Sequence, residues 1–79
     1  MPYKKRQINE TFGRNLKKFR EQRGITQDAL AEELGITKAT VSKYEHGKST
    51  APVTLIFELA QKYGVKPELF VENITEKEG

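Results

Sequence analysis

The chain has 79 residues and a net charge of +3, with 14 lysines and arginines against 11 acidic residues. That length holds one small domain. With no cysteine and one histidine, disulfides, thiolate metal sites, cysteine nucleophiles and a histidine-only zinc site are excluded. No glycine-rich phosphate loop or hydrolase elbow occurs, so neither a cofactor nor catalysis is expected. No long apolar run follows the basic N-terminus, which argues against a secretion signal or membrane span and predicts a cytoplasmic location.

Charge is unevenly spread. Residues 1–24 carry eight basic and two acidic residues, the central stretch is close to neutral, and residues 66–79 carry two basic and four acidic ones. One end favours a polyanion and the other does not. Residues 1–8, MPYKKRQI, form a basic arm without a helical apolar repeat of its own. Two readings stand side by side: Lys4, Lys5 and Arg6 reach along a nucleic-acid backbone or into its minor groove, or the charge is incidental to a chain terminus.

Helix 1 is predicted from Asn9 or Glu10 to Arg23, with Phe12, Leu16 and Phe19 facing a core and Gly24 ending it. Arg14, Lys17 and Lys18 then form a solvated outer face. Thr26 precedes the next apolar-periodic segment, where its hydroxyl caps a helix opening at Gln27, and Asp28 suits the first-turn dipole. Leu30 and Leu34, four residues apart, share one face, and Ala31 lets a neighbouring backbone approach. Gly35 stops this helix by reaching the left-handed conformation, and Ile36 plugs the corner.

Thr37 repeats the cap. A third helix then runs from Lys38 to about Glu45, ending before Gly47, with Val41 and Tyr44 turned inward. Opposite them fall Ala39, Ser42, Lys43 and His46, with Lys38 at the leading end. Small, hydrogen-bonding and cationic side chains on an outward face suit a DNA major groove. Lysine donates to guanine or neutralises phosphate, serine pairs with several base edges, and an alanine methyl touches thymine. His46 is read as a plain helix-end residue, beside the sharper alternative of a pH-modulated phosphate contact.

Helix 4 is predicted over Pro52–Tyr63, with Thr50 as its cap and Gly64 as its stop. Val53, Ile56, Ala60 and Tyr63 make one apolar stripe, while Leu55 and Leu59 lie off it. A single stripe satisfies one core, so the surplus, with Val65, Leu69, Phe70, Val71 and Ile74 beyond, points either to a thoroughly buried central helix or to a second buried surface, and it is read as the second. The domain is drawn at 9–71, leaving 72–79 as an acidic tail.

The segments FGRNLKKFREQRGITQDALAEELGI, TKATVSKYEHGK and TLIFELAQKYGVKPELF together resemble the Cro/C1-type, or XRE-family, helix-turn-helix domain. The resemblance implies an all-α, lambda-repressor-like bundle of five short helices, with the motif in helices 2 and 3. It implies base readout by Lys38, Ala39, Ser42 and Lys43, and backbone contacts by Gln27, Thr37 and Lys48. It also implies an ion pair between Arg20 and Glu45, which physics favours too, because a carboxylate at a half-buried helix C-terminus calls for a cation. Two departures are Ala51, where the family often has proline, and Lys66, where it often has a capping hydroxyl.

The expected function is therefore a sequence-specific DNA-binding transcriptional regulator, a repressor that binds a pseudo-palindromic operator on double-stranded DNA as a homodimer. Leu55, Leu59, Phe70 and Ile74 are the candidate dimer contacts. A controlling protein partner is compatible with this, and the alternative is an interaction module such as a toxin-binding antitoxin with a secondary autoregulatory DNA-binding role.

Overall fold

A computed structural model describes residues 5–71, with side chains from Ile8 onward, as five helices: α1 Lys5–Gln22, α2 Gln27–Leu34, α3 Lys38–Glu45, α4 Val53–Tyr63 and α5 Glu68–Val71. A repeated tripeptide sets the boundaries around α2. Gly24-Ile25-Thr26 and Gly35-Ile36-Thr37 each end one helix and start the next. Gly35 sits at φ 69°; its N–H reaches Glu32 O and the N–H of Ile36 reaches Ala31 O at 3.0 Å, so the last carbonyls of α2 are satisfied. Ile36 then packs on the core, and the Thr37 hydroxyl accepts from the Thr40 N–H at 3.1 Å. Thr26 likewise accepts from the Ala29 N–H at 3.0 Å.

The core is one cluster: Phe12, Leu16 and Phe19 of α1, Leu30, Ala31 and Leu34 of α2, Val41 and Tyr44 of α3, then Ala51, Leu59, Ala60 and Phe70. α1 packs against α3 and α5, and α2 against α3 and α4. Phe19 meets Tyr63 and Phe70 edge-on, with centroids 5.2 and 5.0 Å apart, the arrangement the ring quadrupoles favour. Arg23 covers the same ring, its guanidinium 4.9 Å from the centroid. The amide of Asn15 donates to the Phe70 carbonyl at 3.0 Å and so ties α5 to α1.

Three expectations are corrected. The supposed arm is partly helical, because α1 begins at Lys5. Residues 5–10 contain no glycine or proline and mostly good helix formers, which extend a helix without needing an apolar stripe. Thr50 is not the cap of α4: its hydroxyl donates to Asn9 Oδ1, Pro52 holds the N-cap position, and no side chain bonds there. Leu59 and Phe70 cannot form a dimer surface, since they are 1% and 0% exposed and enclosed by this chain's own core. Leu55 is half-buried on that core, while Ile74 and the acidic tail lie outside the described residues. The apolar surplus of this end is carried outward instead by Val53 and Phe57, 64% and 56% exposed, with Leu69 and Val71.

Candidate nucleic-acid interface

α3 is fixed on three sides before any of its outward residues is considered. Val41 and Tyr44 are buried under it, and Tyr44 meets the edge of Phe12 with centroids 6.1 Å apart. Its C-terminal end lies directly on α1 at Gly13. A Cβ there would stand 2.3 Å from the Tyr44 carbonyl oxygen and 2.9 Å from that of Glu45, so only glycine lets the two backbones come this close. A glycine inside a helix costs about 0.5–1 kcal/mol relative to alanine; the close approach offsets it. Gly13 belongs to no apolar repeat, and its one sequence signal is that unfavourable mid-helix position.

The third constraint is polar. Arg20 grips Glu45 with two bonds, Nε to Oε2 at 2.6 Å and a terminal nitrogen to Oε1 at 3.1 Å, and its other terminal nitrogen donates to the Ile25 carbonyl at 2.9 Å. Gln27 adds its amide N–H to Glu45 Oε1 at 3.0 Å. One carboxylate thus joins α1, the start of α2 and the end of α3. Its side chain is 2% exposed and that of Arg20 13%, so the charges are shielded and each needs the other. Donating to the Glu45 carboxylate holds the Arg20 guanidinium above its ordinary pKa, against the opposing effect of burial.

The remaining side chains face out. Lys38, Ala39 and Lys43 are exposed, Ser42 is half-exposed, and His46 closes the row. Thr37, also exposed, has its hydroxyl engaged at the N-cap and 2.9 Å from that of Thr40. Gln27 is drawn inward by Glu45 and is only half-exposed. Lys48 is exposed just past the helix, and its backbone N–H closes the turn on Lys43 O at 2.9 Å. Two short capped helices, joined at Gly35 and clamped through Glu45, with a row of small and cationic residues outward, define a helix-turn-helix protein.

Residues 16–70 match the helix-turn-helix family HTH_3, and the chain belongs to that family. It is similar to the SPbeta prophage-derived HTH-type transcriptional regulator YonR of Bacillus subtilis, 34% identical over 61 residues, which cover 77% of this chain and 56% of that protein. Antitoxin HipB of Escherichia coli is 37% identical over 46 residues, 58% of this chain and 52% of the relative. The chain therefore spans about half the length of these two curated relatives. The restriction-modification controller protein C.AhdI of Aeromonas hydrophila superposes with a TM-score of 0.78 over 86% of this chain and 99% of its own, a likeness of fold at 24% identity. Among the described residues, no helix is long and apolar enough to cross a membrane.

Proposed function

We propose that the chain is a sequence-specific DNA-binding transcriptional regulator, a repressor acting as a homodimer on a pseudo-palindromic operator in the cytoplasm. The observation that carries this reading is the outward row of α3. It holds cationic, small and hydroxylic side chains on a helix pinned from behind by Val41, Tyr44, Gly13 and Glu45. A rigid helix with such a face fits the major groove, where Lys38, Ala39, Ser42 and Lys43 meet base edges. Gln27 at the start of α2, Thr37 at the turn and Lys48 just past α3 meet the phosphate backbone. Two copies place two such helices roughly 34 Å apart on one side of the duplex.

The homodimer reading rests on the outer side of α4 and α5. Val53, Ile56, Phe57, Pro67, Glu68 and Val71 line an open groove of about 310 Å³. Solvent-exposed valine and phenylalanine at its rim gain by being covered. Selection of bound sites from a random DNA pool at stated salt tests the whole reading: a two-fold symmetric motif is expected, and no enrichment would refute it. For the dimer, Phe57→Asp is expected to leave a folded monomer in sedimentation.

A second reading, a toxin-binding antitoxin that also represses its own promoter, is favoured by the likeness to HipB. It uses the same α3 face and adds a protein partner. Co-purification of a stoichiometric partner would distinguish it.

A further inference from the structure

The solvent side of α1 carries positive charge that the rest of the domain does not answer. Arg14, Lys17 and Lys18 lie within about one helical turn, all exposed, and with Glu21 and Gln22 they line an open depression of about 450 Å³. Among the described residues neither lysine pairs with a carboxylate, Glu21 of the same depression included. Arg14 donates to the Thr11 hydroxyl at 3.3 Å, which leaves its charge unanswered too.

The C-terminal segment starts beside this face. Asn15, next to Arg14 and three residues before Lys18, donates its amide N–H to the Phe70 carbonyl at 3.0 Å, and α5 ends one residue later, at Val71. Residues 72–79 then carry Glu72, Glu76 and Glu78 against a single cation, Lys77. Arg14, Lys17 and Lys18 all stand within about 5 Å of Asn15 along the helix axis. A chain that covers about 3.3 Å per residue brings all three glutamates within reach of them.

We propose that residues 72–79 dock on the cationic face of α1, where Glu72, Glu76 and Glu78 answer Arg14, Lys17 and Lys18 and close that face to other polyanions. Opposite charge selects the occupant, and attachment at Val71 holds it at a high effective concentration. Exposed ion pairs are individually weak and screened by salt, so the set acts together and is released at high ionic strength. None of these residues belongs to the α3 row. The docking therefore stands or falls apart from the reading of α3 as a DNA reader.

The test uses the full chain, which has no cysteine, so Thr75→Cys carries a single nitroxide label. In about 20 mM salt the amide signals of residues 14–22 are expected to broaden at least about threefold more with the native glutamates than with all three changed to Gln, a difference that disappears in about 0.5 M salt. Lys17→Glu with Lys18→Glu should abolish the excess, and adding Glu76→Lys with Glu78→Lys should restore it. Equal broadening with native and Gln segments would mean that the attachment alone brings the label to α1, and it would overturn the docking. Heparin binding tests the closure. Lys17→Gln with Lys18→Gln is expected to change affinity less than about twofold beside the native segment and about tenfold beside the Gln segment. Equal losses in both backgrounds would show that the lysines are equally open to polyanions, and the proposal would fail.

Discussion

The turn that enters α3 and the turn that leaves it share one backbone solution. Gly35 and Gly47 lie at φ 69° and 71°, and the next N–H reaches back five residues in both, from Ile36 to Ala31 and from Lys48 to Lys43. The side chain that follows differs: Ile36 packs on the core, whereas Lys48 stands in solvent. Ile25 and Val65, which follow Gly24 and Gly64, side with Ile36. An apolar residue after the stop commonly plugs such a turn, so Lys48 is the exception among four. The leaving end is held by other means, the Gly13 contact and the Arg20–Glu45–Gln27 clasp. Because these directional contacts involve backbone and buried side chains, the residue after Gly47 is released from the core and can carry a charge.

That contrast can be broken from either side. The largest effect is expected for Arg20→Ala, which strands a carboxylate that is 2% exposed: a loss of about 3–5 kcal/mol of stability in urea unfolding. A loss below about 1 kcal/mol would mean that Glu45 rehydrates and the clasp is ornamental. Gly13→Ala comes next, at about 1–3 kcal/mol, because its Cβ forces α1 away from the carbonyls of α3 despite alanine's better helix propensity. Stabilisation by this change would show that the two helices separate freely.

At the entering end, Ile36→Ala should cost about 1–2 kcal/mol, less than the loss of a fully buried isoleucine because Ile36 is only half-buried. The matching change at the leaving end, Lys48→Ala, should move stability by no more than about 0.5 kcal/mol. Its expected signature lies in DNA binding instead, weaker on all sequences with a salt slope lower by about one unit. Lys43→Ala sharpens the distinction within α3: roughly 1–3 kcal/mol on the selected site and little on random DNA, where uniform weakening would reassign it to phosphate.

The boundaries of α2 and α3 were legible residue by residue, because Thr26, Gly35, Thr37 and Gly47 act on their own backbone neighbours and need nothing distant. The same locality explains the misplaced start of α1: Lys5 to Glu10 favour a helix by propensity alone and lack the periodic stripe that announces one. Thr50 had the chemistry of a cap but stands near Asn9, forty-one positions away, and bonds there. The pairing of Arg20 with Glu45 follows from resemblance more than from energetics, since a separation of twenty-five positions hides whether two charges meet in water or in the clasp.

By itself, then, the sequence determined what depends on near neighbours: four helical segments and their glycine stops, the threonine caps of α2 and α3, an inward Val41 and Tyr44, and an outward row on α3. Only the tertiary structure decided which of the apolar residues of α4 and α5 are core and which are surface. Leu59 and Phe70 went inside and Val53 and Phe57 stayed out, because burial depends on what α1 and α2 place opposite each side chain and not on hydropathy. Only it could bring Gly13 onto the carbonyls of α3 and draw Gln27 toward Glu45. Periodicity records which side of a helix a residue occupies, and the packing of the other helices determines what that side meets.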